Sequence, residues 1–333
     1  MIDKLKKALQ NRILVLDGAM GTMLQAYSFS ESDFRGQRFK DWSQPLQGNN
    51  DLLSITQPAA ISEVHSAYLD AGADIIETNT FSSTSIAMAD YGLEEQVYEL
   101  NYASAQIAKA LTQAYTNKHP DKPRFVAGCL GPTNKTASMS PDVNDPGFRA
   151  ISFSELEQAY REQAKALIDG GVDLLMVETV FDTLNAKAAL FAIDRLKEEL
   201  QIEIPVMVSG TITDASGRTL SGQTPEAFLI SVSHIPLLSI GFNCALGAAQ
   251  LQPHLEVIAG RSSMAISAHP NAGLPNAFGA YDQTPAQMAA QLQPYIDKRV
   301  VNILGGCCGT TPAHIKAIAQ LVEGITPRSI HYL

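Results

Sequence analysis

The stretch "GGCCGTTP", residues 305–312, sets two cysteines side by side among glycines. A disulfide between chain neighbours closes a small strained ring, because bridged cysteines hold their Cα atoms farther apart than adjacent residues comfortably allow. Cys307 and Cys308 therefore call for another partner. A third cysteine, Cys244, closes the short apolar run "LLSIGFNC", and other runs close in the same way on residues able to do chemistry. Collected together, the run ends present Asp17, Glu77, Asn79, Glu178, Asn243, Cys244, His269, Cys307 and Cys308. Three thiolates converging on one rim suit a soft or borderline cation, and zinc is the common choice. Neighbouring side chains on a strand point to opposite faces. For Cys307 and Cys308 to hold the same ion the backbone must leave the strand, which Gly305, Gly306 and Gly309 permit.

A zinc with three protein ligands keeps a position for water or substrate. Three thiolates outweigh the charge of the ion, so the metal is a weak acid toward water and a substrate thiol is the more natural fourth ligand. Coordination deprotonates a thiol, and four sulfur ligands leave the bound sulfur nucleophilic. The chemistry this implies is alkyl transfer to a thiol. His269 either supplies a fourth ligand, which would close a structural site, or is a loop histidine before Pro270. Cys129, inside the run "RFVAGCLG", reads as a small apolar core residue and as dispensable for the metal.

Two acids fit the rest of a thiol amino acid. "LDGAMGT" ends on Asp17 and then exposes the backbone amides around Gly18, Ala19 and Gly21, a cradle for a carboxylate. "VETVFDTLNA" places Glu178 at a strand end, able to face an ammonium. Either acid could instead brace a loop or start a helix, and Gly18 and Gly21 could serve strand-to-helix packing alone.

The elements that must position these residues are eight apolar runs: "RILVLDG", "ADIIETN", "RFVAGCLG", "VDLLMVET", "PVMVSGT", "LLSIGFNC", "SMAISAHP" and "VNILGGCC". Between them lie segments of helical periodicity such as "SELEQAYREQAKALIDGG" and "TLNAKAALFAIDRLKEEL". Nearly continuous apolar strands alternating with helices predict a parallel sheet covered by helices, and eight units predict a closed (β/α)8 TIM barrel. An open doubly wound sheet is the other arrangement, and it loses its main support because no G-x-G-x-x-G follows the first strand. The long strand-to-helix joins, 18–57, 131–153, 210–223 and 270–283, then gather on the face where barrel active sites lie.

The 333 residues, 45% apolar, read as one domain, 1–333, since no linker or low-complexity tract divides them. A formal charge of −10 disfavours nucleic acid and anionic membrane surfaces as partners. The N-terminus is a short amphipathic basic segment without a signal-peptide pattern. Four cysteines, two of them vicinal, do not form a secreted disulfide framework and suggest a reducing cytoplasm.

These residues resemble the homocysteine S-methyltransferase family, a barrel that holds zinc through three cysteines. "GFNC" and "GGCCGTTP" match its metal motifs at Cys244, Cys307 and Cys308, and "DGAMGT" with "VET" its amino-acid clamp at Asp17 and Glu178. "DGAMGTML", "ADIIETNTF", "GPTNKTASMSPDVNDP", "SGTITDASGRTLSGQ" and "AHPNAGLPNAFGAYD" are more similar to the homocysteine module of cobalamin-dependent methionine synthase than to the betaine or S-methylmethionine enzymes. The resemblance runs from about residue 10 to about residue 328. It implies homocysteine as substrate, methionine as product and methylcobalamin as methyl donor. No cobalamin or folate module follows in this chain, so the donor would come in trans from cobalamin-carrying and folate-binding partners. A small donor such as S-methylmethionine or betaine, or a homocysteine-binding subunit inactive on its own, are the alternatives.

Overall fold

The computed structural model describes residues 1–213 and 216–330. Its eight strands are β1 Leu14–Val15, β2 Ile75–Glu77, β3 Phe125–Leu130, β4 Leu174–Val180, β5 Val206–Gly210, β6 Ser239–Gly247, β7 Ala265–Asn271 and β8 Ile303–Leu304. They pair in the order β1-β8-β7-β6-β5-β4-β3-β2. A parallel bridge from Leu16 to Ile75 brings the two ends together. This is the (β/α)8 barrel that the eight apolar runs predict.

One helix of the outer ring follows each strand: Pro58–Asp70, Val97–Lys118, Phe153–Asp169, Thr183–Leu200, Pro225–Val232, Ala248–Ala259, Pro285–Asp297 and Pro312–Leu321. Several start on local signals. Ser152 with Glu155 and Thr284 with Gln287 form capping boxes, and the Asp182 and Thr224 side chains accept amide protons from the first turns of theirs.

Strand alternation divides the core in two. Val15, Ile76, Val126, Leu175, Val208, Ile240, Ile266 and Leu304 face outward and pack under the helices. Leu14, Ile75, Phe125, Ala127, Leu174, Met176, Met207 and Ile303 face inward and form a second cluster with Leu5 and Leu9 of the helix Ile2–Asn11. The N-terminal segment, read from sequence as amphipathic and basic, is thus the plug of the barrel's lower mouth. At the same end, side chains entering β2, β4 and β8 hold the amides of neighbouring strands. Asp74 accepts from Val15 N–H (3.0 Å), Asp173 from Val126 N–H (3.0 Å) and Asn302 from Ile266 N–H (2.9 Å).

Two residues further along the inward register, the filling turns polar: Ile75 gives way to Glu77, Ala127 to Cys129 and Met176 to Glu178. The upper layer lies where the long loops begin. Loop 18–57 folds into short helices, Met20–Gln25, Glu31–Arg35 and Leu53–Thr56. Residues 214 and 215 of loop 210–223 fall outside the described residues, as do 331–333. No helix among the described residues is long and apolar enough to cross a membrane.

Leu9 is fully buried in the plug. Leu9→Ala should cost about 2–5 kcal/mol, seen as a lower urea midpoint, with the opposite rim intact.

Candidate metal centre and acid layer

The three cysteines meet, although none lies in regular strand geometry at the point of meeting. At the end of β6, Cys244 and Ala245 take positive φ values of 62° and 57°, and the pairing with β7 shifts register between Asn243 and Gly247. Non-glycine residues in this region cost on the order of 1–3 kcal/mol each unless their surroundings hold them. The kink turns Cys244 Sγ to within 3.7 Å of Cys308 Sγ. β8 ends at Leu304, and Cys307 and Cys308 occupy a turn beyond it, as the flanking glycines predict. That turn is tied down: Cys307 N–H donates to the Pro270 carbonyl (2.9 Å), Ala272 N–H to the Cys308 carbonyl (2.9 Å) and Thr310 Oγ1 to the Cys307 carbonyl (2.6 Å). Gly309 has φ +78°, and a Cβ there would stand 2.3 Å from Tyr281 Cβ, so only glycine fits.

All three sulfurs lie within 4.8 Å of one another. Tetrahedral zinc–thiolate bonds of about 2.3 Å place their sulfurs about 3.8 Å apart, which the Cys244–Cys308 separation matches without movement. The thiols also perturb one another. Hydrogen bonds from Cys244 and Cys307, with a further one from the Tyr281 hydroxyl, hold Cys308 well below the usual thiol range. Burial and the nearby Cys308 push Tyr281 up to about 12.

His269 is not brought to this cluster. It faces inward from β7 opposite Asn243, one position short of Cys244, and is buried with neither ring nitrogen hydrogen-bonded. Burial lowers its pKa to about 3, which keeps the imidazole neutral. It reads as a loop residue from sequence because Pro270 follows, but β7 continues to Asn271.

Beside the thiols lies a layer of acids. Asp17 and Glu178 are 4% and 6% exposed, and Glu77 is half-buried. Asp17 Oδ2 accepts the Glu77 N–H at 3.1 Å. Glu178 Oε1 accepts from Cys129 Sγ at 2.8 Å, and Oε2 from Asn243 Nδ2 at 3.2 Å. Among the described residues no lysine, arginine or histidine forms an ion pair with any of the three. Burial raises the pKa of all three, most strongly for Asp17 and Glu77. A cationic ligand is the natural complement of such a layer.

The loop after β1 is locked to the loop after β8. Ala19 N–H donates to Thr310 Oγ1 (3.2 Å), and the Tyr68 hydroxyl donates to the Ala19 carbonyl (3.1 Å) and the Thr310 carbonyl (3.2 Å). Gly18 admits this approach, since a Cβ there would lie 2.7 Å from Thr310 Oγ1. Of the amides expected to cradle a carboxylate, that of Ala19 therefore has a partner within the protein. The sequence reading left Glu77 and Asn243 without roles and missed Tyr281. Inward parity in "IIETN" was the available signal for Glu77, whereas nothing local marks Tyr281. Cys129 does lie apart from the cluster of Cys244, Cys307 and Cys308, yet it touches Glu178. A cavity of about 600 Å³ between Leu229, Ile230, Leu237 and Met264 is lined by no residue of either cluster.

The family model described as homocysteine S-methyltransferase matches residues 14–322. Among solved structures, the homocysteine methyltransferase MmuM from Escherichia coli is similar in its metallated form at 26% identity and a TM-score of 0.71, over 96% of this chain and 98% of that one. Its oxidized form is similar at 25% identity and a TM-score of 0.71, over 92% and 95% of the two chains. Its apo form shares the fold at 23% identity and a TM-score of 0.66, over 93% and 96%.

Replacing Cys244, Cys307 or Cys308 by Ala should abolish stoichiometric metal, measured on the purified protein, while the circular dichroism spectrum stays that of the folded barrel. Cys129→Ala should retain the metal.

Proposed function

The chain belongs to the homocysteine S-methyltransferase family and is a methyltransferase, and from that premise we propose that it methylates the thiol of homocysteine to form methionine, with zinc held by Cys244, Cys307 and Cys308 and with methylcobalamin supplied in trans. The observation that carries this reading is the adjacency of three converging thiols to buried acids that no cationic side chain among the described residues pairs. Zinc at the thiols, when bound, would supply the charge that keeps a substrate sulfur ionised near neutral pH.

The chain's own residues do the rest. Asp17 and Glu178 receive the ammonium of the amino acid, whose charge offsets the cost of burying theirs. The amides that follow Asp17, apart from that of Ala19, meet the carboxylate of the amino acid. Fixing both groups aims the sulfur at the rim, and a fixed, dry geometry of this kind lowers the entropic barrier to attack. One carbon–sulfur bond forms as the donor's bond to the methyl carbon breaks, the electron pair staying with the donor.

Two features support a large donor. The rim loops 131–153, 210–223 and 270–283 carry the motifs similar to the cobalamin-dependent module. They also expose apolar side chains around the mouth, with Val143 92%, Phe278 95% and Leu220 56% exposed. Such a surface suits transient docking of a cobalamin-carrying protein, itself served by a folate-binding one. Three free thiols at the rim suit a reducing compartment, which favours the cytoplasm. One observation favours a small donor instead: the Tyr281 ring stands over Gly309 beside the thiols, where an aromatic face could meet the cation of S-methylmethionine or betaine.

Protein, homocysteine and methylcobalamin together should show zinc-dependent loss of the methylcobalamin spectrum with methionine appearing. Turnover with S-methylmethionine or betaine and none with methylcobalamin would overturn the donor, and none with any donor would leave a binding subunit. Glu178→Gln should raise the homocysteine KM by about tenfold to a hundredfold, the weight of a charge-assisted hydrogen bond, with zinc content unchanged.

A further inference from the structure

Glu178 and Glu77 carry the same functional group in unlike surroundings. Glu178 is offered a donor on each oxygen, Cys129 Sγ at 2.8 Å and Asn243 Nδ2 at 3.2 Å. The Asn243 amide cannot be turned round, because its Oδ1 accepts from Thr179 N–H (3.0 Å) and from Ser209 Oγ (2.7 Å). Its NH₂ must therefore face Glu178. Among the described residues the Glu77 carboxyl has no such donors. It reaches from β2 into the triangle of Glu77, Cys129 and Glu178, whose ligand atoms lie within 4.8 Å of one another. The titratable groups that face it are Glu178, Asp17 and the Cys129 thiol. Two carboxyls this close, with no cationic side chain among the described residues paired to either, share a proton, and the proton stays on the one with fewer donors.

We infer that Glu77 is a positioning residue that works as a neutral hydrogen-bond donor, keeping its proton and pointing it at a Glu178 oxygen so that Glu178 stays ionised and aimed at the substrate ammonium. This rests on the reading of Glu178 as part of the homocysteine clamp. Burial, then the charges of Glu178 and Asp17, hold Glu77 well above the usual carboxyl range, whereas hydrogen bonds from Cys129 and Glu77 oppose the effect of burial at Glu178. The assignment also gives Cys129 a part: its S–H is the second donor from the strands on that side.

The test compares Glu77→Ala with Glu77→Gln in the zinc-loaded full chain. Alanine removes the donor and should raise the homocysteine KM by about tenfold or more, with kcat within about threefold and zinc content unchanged. Glutamine keeps an N–H donor and cannot ionise, and should bring KM back to within about threefold of the parent. If Glu77→Gln is as impaired as Glu77→Ala, an ionised carboxylate is needed at this position and the inference fails. It fails equally if the parent protein binds a second equivalent of metal that Glu77→Gln loses, since the triangle is then a metal site. Infrared spectroscopy of the holoprotein gives a second readout: a protonated-carboxyl band should be present in the parent and diminished in Glu77→Gln, and its absence from the parent, or an undiminished band in the folded variant, overturns the inference. A parent protein that binds no homocysteine would overturn the functional reading instead, and the infrared band would still decide the state of the carboxyls.

Discussion

Removing a carboxyl group from water without a counter-cation costs several kcal/mol unless it is neutralised or richly hydrogen-bonded, and the upper layer of this barrel gathers three, Asp17, Glu77 and Glu178. Much of the local structure answers that cost. Glu77 N–H serves Asp17, Cys129 and Asn243 serve Glu178, and Ser209 with Thr179 orients Asn243. These contacts join β1 to β2 and, separately, tie β3, β4, β5 and β6 together. The same Asn243 precedes Cys244, so the network that settles the acids also sets where β6 leaves its strand path toward Cys308.

The lower half of the barrel makes this affordable in structural terms by being conventional. Leu5 and Leu9 close the mouth under a layer of leucine, isoleucine, methionine and phenylalanine, and Asp74, Asp173 and Asn302 hold strand amides at that end. Burial at one end maintains the shape, while the other end carries charge and strained backbone. The division follows barrel topology, in which loops after the strands can vary without disturbing the packed floor.

The thiol rim depends on contacts between loops distant in sequence. Tyr281 packs on Gly309, Thr310 joins the β8 turn to Ala19, and Thr22 Oγ1 accepts the Gly309 N–H at 3.0 Å. The rim therefore has a fixed inner ring, where the thiols are held, and outer tips such as Val143 and Phe278 that pack against nothing.

The barrel was legible because its signals are local. Eight apolar runs and the helices between them follow from periodicity, and the cysteines at 244, 307 and 308 stand out by residue type and by the glycines around the pair. Asp17 and Glu178 were likewise visible as acids at strand ends. Period-two alternation says which residues point inward, but which inward residues touch depends on the stagger of strands around the barrel and the reach of each side chain. Hence Cys129 looked like filler in an apolar run, although its sulfur lies 2.8 Å from Glu178 Oε1, and His269 could be read as a fourth ligand although it sits one position below the thiols. The inventory of chemical groups and the fold that carries them were determined by sequence alone. Tertiary structure decided the pairing of those groups, the positive φ at Cys244 and the place of Tyr281, because each arises from contacts between chain segments far apart in sequence.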